Sequence, residues 1–252
     1  MTKVFFIGAG PGDPELITVK GLKRIQCADL VLYAGSLVPR EVVAEAKPTA
    51  KIVDSAPLTL EETHALMTET VAGGGIVARV HTGDPALYGA VAEQAALLEA
   101  ANIDYEIIPG VTSACAAAAA AKVSFTAPET VQSLVITRLP GRTSVPEAQS
   151  VRRFAATGAA LAVYLSGTMA GELQAELLAG GLAPGTPVVV ARQVGQQEEV
   201  VVHTDIAGLT EAAAAAGAGR QTLFLVLPGL DAQAARSRLY HPGFGHGRRE
   251  AR

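Results

Sequence analysis

Short apolar runs alternate with longer helical stretches through the first half of the chain. Val4–Ile7, Leu30–Tyr33, Lys51–Asp54, Ile76–His81 and Tyr105–Ile108 read as strands, most of them with the continuous apolar character of strands buried on both faces. Between them Thr18–Cys27, Pro39–Ala46, Thr59–Ala72 and Ala86–Ala101 carry helical patterns. This alternation predicts a parallel sheet covered by helices on both faces. Thr59 followed by Glu62 predicts a capping box. Ala114–Ala121, alanine throughout except Cys115, predicts a helix joining the two halves, with Thr112 or Ser113 as its N-cap.

In the second half Ser133–Thr137, Ala160–Leu165, Pro187–Arg192, Glu198–Thr204 and Thr222–Leu227 read as strands, with breaks at Gly141–Ser144 and Gly180–Gly185. Gln193-Val194-Gly195-Gln196-Gln197 joins two of these runs as a hairpin, so this sheet should be mixed. The expected organisation is α/β throughout. An N-terminal domain takes residues 1–113, a connecting helix or linker 114–124, a C-terminal domain 125–235 and a basic tail 236–252.

Composition narrows the class. With 252 residues, 49% hydrophobic and 17% charged, the chain can bury a large core and is not a disordered sequence. A net charge of −4 argues against a nucleic-acid partner, although the last residues gather Arg236, Arg238, Arg248, Arg249 and Arg252 against Glu250. Cys27 and Cys115 give neither a disulfide framework nor a zinc spacing and suit a reducing cytoplasm. No leader peptide or membrane span is expected, since glycines appear by position 8 and no apolar stretch is long enough to cross a bilayer. His64, His81, His203, His241 and His246 are scattered, so no metal site is expected.

The turn after the first strand, Gly8-Ala9-Gly10-Pro11-Gly12-Asp13-Pro14, stands where α/β folds bind ligands, beyond the carboxyl ends of the strands. It is not a dinucleotide fingerprint. Asp13 occupies the third glycine position, Pro11 removes a backbone N–H, and Ala34-Gly35-Ser36 offers no acid to a ribose. A nicotinamide oxidoreductase is therefore disfavoured, and a different nucleoside-binding turn is expected. His81-Thr82-Gly83-Asp84-Pro85-Ala86-Leu87-Tyr88-Gly89 and Pro109-Gly110-Val111-Thr112-Ser113-Ala114 repeat the strand–glycine–helix design. Gly83 would admit a ligand close to the backbone. Asp84 before Pro85 reads first as a helix N-cap, and alternatively as a partner for local N–H groups or a ribose hydroxyl.

Taken in order, Gly8–Pro14 with Leu16-Ile17-Thr18, then Gly83-Asp84-Pro85, then Pro109–Ser113, resemble the tetrapyrrole (corrin/porphyrin) methylase family over nearly the whole chain. Tyr33-Ala34-Gly35-Ser36-Leu37-Val38 and Leu239-Tyr240-His241-Pro242 resemble its precorrin branch. The resemblance implies two α/β domains with S-adenosylmethionine folded into the cleft between them, a tetrapyrrole substrate and a homodimer. It implies cofactor contacts from Pro11, Thr82, Gly83, Asp84, Leu87, Thr112, Ser113, Leu165 and Gly195, and release of S-adenosylhomocysteine.

In relatives that methylate uroporphyrinogen, an aspartate that looks catalytic matches Ala34, which disfavours that substrate here. No catalytic residue is identified. Methyl transfer from a sulfonium asks chiefly for in-line positioning, which can supply roughly 7–11 kcal/mol. Arg40, Arg79, Arg138, Arg142, Arg192 and the basic tail are candidates to meet substrate carboxylates. The competing readings are another methylase of this family, acting on a different tetrapyrrole, on protein or on ribosomal RNA, and a nucleoside-binding module without activity.

Overall fold

The computed structural model describes residues 3–35, 37–230 and 243–245. The chain divides into two compact units. Met1–Ala116 and Gln193–Gln197 form the first, and Ala117–Arg192 with the chain from Glu198 onward forms the second.

In the first unit β1 (Val4–Gly8), β2 (Leu30–Tyr33), β3 (Lys51–Asp54), β4 (Val77–His81) and β5 (Tyr105–Ile108) form a five-stranded sheet in the order β3-β2-β4-β1-β5. Every pair is parallel, so all five carboxyl ends share one edge. Side chains alternate between the faces along each strand. Phe5, Ile7, Val31, Ala78 and Val80 pack with Ile25 of α1 (Val19–Cys27) and Val42 and Val43 of α2 (Arg40–Ala44). Val4, Phe6, Leu30, Leu32 and Val77 pack with Met67 of α3 (Leu60–Ala72) and with Val91 and Leu98 of α4 (Val91–Ala100). Burying a Leu or Phe side chain of this kind stabilises by about 1.5–3 kcal/mol, so both faces hold the sheet.

Polar residues start the helices. Thr18 Oγ1 accepts from Gly21 N at 3.2 Å. The expected capping box is present, with Thr59 N donating to Glu62 Oε2 at 2.8 Å and Glu62 N to Thr59 Oγ1 at 3.2 Å. The helix after β4 differs from the reading of the sequence. It begins at Val91 instead of Ala86, because Tyr88 (φ 56) and Ala90 (φ 49) are left-handed and cannot lie in a right-handed helix. Asp84 is therefore not its N-cap. The alanine run forms α5 (Ser113–Ala120), and the division between the units falls within it.

The second unit contains β6 (Leu134–Arg138), β7 (Ala160–Tyr164), β8 (Pro187–Arg192), β9 (Val200–Asp205) and β10 (Thr222–Val226) in the order β6-β7-β10-β8-β9. Only β6–β7 is parallel, and β8–β9 is the expected hairpin, so the sheet is mixed. Three short helices, α6 (Val151–Ala155), α7 (Ala170–Ala179) and α8 (Leu209–Ala215), supply Val151, Leu173, Leu177 and Leu209 to a core with Leu161, Val163, Val190 and Phe224. Met169 packs against that core as filler. The basic tail lies outside the described residues apart from 243–245, as do Ser36 and Leu239–Pro242. Among the described residues no helix is long and apolar enough to cross a membrane.

Candidate functional site

Three loops leave the carboxyl edge of the parallel sheet side by side, after β1, β4 and β5, and glycine lets them close on one another. Gly10 N donates to Gly83 O at 3.2 Å, and Gly83 N returns a bond to Gly10 O at 2.7 Å. A Cβ on Gly8 would stand 2.5 Å from Gly110 N, and one on Gly110 would stand 2.1 Å from Gly83 O. Neither position has room for a side chain. Gly83 is the opposite case. Its φ is +61, and a Cβ there would meet nothing closer than 3.9 Å. Its side-chain position therefore has room for a methyl group in ordinary contact with the β5 loop. A valine at this position would cost stability through the left-handed backbone as well as filling that space.

Asp84 ties two of these loops together. Its Oδ1 accepts from Ala86 N at 2.8 Å and its Oδ2 from Gly110 N at 3.0 Å. The sequence offered this aspartate a cap, local N–H partners or a ribose hydroxyl; the structure gives it the local N–H of Ala86 and adds a link to Gly110, twenty-six residues on. Asp84→Ala leaves two backbone N–H groups without their acceptor, so a stability loss of about 1–3 kcal/mol is expected in denaturant unfolding. Asp84→Asn, whose amide keeps an acceptor oxygen at only one of the two positions, should fall between it and the parent.

Around this platform the first unit gathers most of the residues singled out in the sequence. Pro11 is buried in the first loop, and Thr82, Asp84 and Leu87 are half-buried in the second. Thr112 and Ser113 open α5, where Ala116 N donates to Thr112 O at 3.3 Å. Gly195 comes from far along the chain. A Cβ on Gly195 (φ +77) would lie 2.8 Å from Asp13 N, and a Cβ on Gly12 would lie 2.6 Å from Gln196 Cγ. The Gln193–Gln197 turn thus rests on the first glycine loop. Leu165 belongs to the second unit, at the end of β7, left-handed (φ 52) and 69% exposed. Ser166 beside it is buried, accepting from Leu139 N at 2.9 Å and donating to Tyr164 O at 2.7 Å.

The arginines divide. Arg79 is committed inside the first unit, with Nε on Gln94 Oε1 at 2.9 Å and Nη1 on Ser55 Oγ at 2.7 Å. Burial lowers its pKa to about 10, still leaving it charged at neutral pH. Arg138 holds the carbonyls of Leu139, Thr143 and Ser144. These two, named among the candidates to meet substrate carboxylates, are engaged in bracing the protein. Arg40 and Arg142 are exposed, and Arg192 has a buried Nε without a hydrogen-bond partner among the described residues. His81, two residues beyond Arg79 on the same face, is buried against Phe6 with ring centroids 5.9 Å apart. Burial, with the positive charge of Arg79 adding to it, pushes its pKa down to about 3. His81 is thus neutral at physiological pH and cannot serve as a cationic acid. Sequence reasoning missed Gly8 and Gly110 as mutual contacts. The available signal was a glycine at or just after the end of each of three strands.

Fold and platform together define an α/β protein whose glycine loops gather at the carboxyl edge of a parallel sheet, the edge at which such folds bind ligands. The chain belongs to the tetrapyrrole (corrin/porphyrin) methylase family, which it matches over residues 3–210. It is 43% identical to the cobalt-precorrin-4 C(11)-methyltransferase of Priestia megaterium, covering 98% of each chain. Among solved structures it is similar to a cobalamin biosynthetic enzyme, cobalt precorrin-4 methyltransferase. That likeness has a TM-score of 0.89 and 44% identity, and covers 91% of this chain and 96% of the other. It is also similar to uroporphyrin-III C-methyl transferase from Thermus thermophilus, solved with S-adenyl homocysteine. There the TM-score is 0.75 and the identity 26%, with 89% and 97% of the two chains covered.

Proposed function

We propose that this chain is an S-adenosylmethionine-dependent methyltransferase that adds a methyl group to C11 of the precorrin-4 macrocycle, giving precorrin-5 in cobalamin biosynthesis. The observation that carries this reading is the glycine platform of Gly8, Gly83 and Gly110, where three strand-end loops meet backbone to backbone, in a chain so similar to precorrin-4 methylases. The residues present suit the cofactor. Backbone groups of the Gly83 loop and the hydroxyls of Thr82, Thr112 and Ser113 match its ribose and amino-acid ends, and Pro11, Leu87 and Gly195 offer apolar or bare backbone surface. Leu165, at the end of β7, is proposed as a cofactor contact on the family resemblance alone.

When bound, the cofactor supplies a methyl group already activated on a sulfonium. The work of the protein is to orient donor and acceptor and to exclude water, and no covalent protein intermediate is required. The reading carries with it a homodimer working in the cytoplasm, a setting that suits two free cysteines.

The test supplies the purified chain with methyl-labelled S-adenosylmethionine and precorrin-4, metal-free in one assay and cobalt-loaded in another, because two of the relatives named above are cobalt-precorrin-4 methyltransferases. One labelled methyl at C11, located by NMR, is the expected result. Label at another carbon, or none in either assay, sinks the assignment. Calorimetry should show S-adenosylhomocysteine binding and no comparable binding of NAD.

A further inference from the structure

The carboxyl edge of the first sheet carries two separate hydrogen-bond networks. One joins the loops after β1, β4 and β5. The other occupies the remaining strands, β2 and β3, at one end of the order β3-β2-β4-β1-β5. There Asp54, the last residue of β3 and paired in register with Tyr33, reaches across to the loop that follows β2. Its Oδ1 accepts from Gly35 N at 2.8 Å and from Ala56 N at 2.8 Å. These two N–H donors hold the Asp54 carboxyl below its ordinary pKa, so it is ionised at neutral pH.

Its neighbour continues the network. Ser55 N and Ser55 Oγ both donate to Tyr33 O, at 2.8 Å and 3.1 Å. Arg79 Nη1 donates to Ser55 Oγ at 2.7 Å. The β2 loop then closes on itself, with Leu37 N and Val38 N both donating to Ala34 O, at 2.9 Å and 3.0 Å. The contact at Gly35 is so close that a Cβ there would stand 2.3 Å from Asp54 Oδ2. Ala34 gives this loop no carboxylate of its own, and the one that reaches it comes from β3.

Such a loop could merely be tied down for stability. Its place argues for more. The edge of a parallel sheet is where α/β proteins bind ligands, and the β1–β4–β5 side is taken up by the proposed cofactor platform. The acceptor must lie beside the donor, and β2 is the strand next to β4 on the free side. Asp54 and Gly35 are both exposed there.

We propose that Asp54 is a positioning residue for the tetrapyrrole acceptor, holding the Ala34–Gly35 loop in the place where the macrocycle docks beside the donor. The inference rests on the methyltransferase reading above and adds the acceptor side to it. Its partners are backbone N–H groups, so what matters is an acceptor oxygen at that point, not a proton-transfer group.

The test uses the full chain and steady-state kinetics, with S-adenosylhomocysteine affinity measured separately. Asp54→Ala should raise KM for the tetrapyrrole about tenfold, with kcat changed far less and S-adenosylhomocysteine affinity unchanged. Asp54→Asn, which keeps an acceptor oxygen for the same N–H groups, should restore most of the loss. Gly35→Ala, pushed off the carboxylate from the other side, should reproduce the rise in KM, and it serves if Asp54→Ala fails to fold. An unchanged KM in Asp54→Ala or Gly35→Ala overturns the proposal. So does equal loss of donor and acceptor affinity, or an Asp54→Asn enzyme as impaired as Asp54→Ala. A parent enzyme inactive on precorrin-4 would sink the function itself, an outcome separate from these.

Discussion

Gly110→Ala is expected to lower the melting temperature by on the order of 10 °C and to abolish S-adenosylhomocysteine binding. The added methyl would stand 2.1 Å from Gly83 O and 2.7 Å from Gly8 Cα. Both obstacles are backbone, so no side-chain rotation relieves the overlap, and β1 and the β4 loop must separate. Overpacking of this kind costs about 3 kcal/mol or more when the neighbours cannot yield. The separation would also strain the paired Gly10 and Gly83 bonds and the bond from Gly110 N to Asp84 Oδ2. Stability and ligand binding should therefore fail together. Gly171→Ala is the control. It lies in α7, where a Cβ would meet nothing within 4 Å, and helix propensity predicts a gain of up to about 1 kcal/mol. A Gly110→Ala protein with parental melting temperature and affinity would show that the three loops do not form a closed platform.

The same contrast shows what the sequence could tell. Its apolar runs located β2 and β8 to the residue, because a buried strand announces itself by local composition, and the partly exposed edge strands β3 and β5 were located as well by apolar residues between turn signals. Thr59 and Glu62 likewise announced a capping box, whose partners lie within one turn. The failures involve distance along the chain. Asp84 followed by proline and alanine has the local signature of an N-cap. Gly110 N, however, competes for that carboxylate, and the chain stays non-helical to Val91 despite residues that favour helix. Three glycines at strand ends were visible, but their mutual contact depends on β1 lying between β4 and β5, an order no local pattern encodes. The turn around Gly195 read correctly as a hairpin connection, while its place against Gly12 and Asp13 was not legible. Short helices such as Val151–Ala155 are too brief to show periodicity.

His81→Gln should remove much of the loss of stability that the parent protein suffers on mild acidification. The His81 imidazole is 7% exposed, packed on Phe6, and its Nε2 has no hydrogen-bond partner among the described residues. Protonation would place a charge in that apolar setting two residues from the Arg79 guanidinium, so the folded-state pKa falls from 6.5 to about 3. Between these values the unfolded chain holds a proton that the folded chain refuses. The stability due to neutral His81 is therefore complete above about pH 6.5 and drains away as the pH falls toward 3. At pH 5 the loss from this residue is about 2 kcal/mol, from 1.36 kcal/mol per pH unit below 6.5. The depressed carboxyls of Asp29 and Asp54 act in another window, since their contributions persist above the ordinary value of 3.8 and disappear only below it. Urea unfolding at pH 7.5 and pH 5.0 thus isolates the histidine. The parent should lose about 2 kcal/mol more than His81→Gln between the two conditions. Equal losses in both proteins would mean that His81 finds a proton partner in the folded state, and that the buried face beneath the Gly83 loop is more polar than its neighbours indicate.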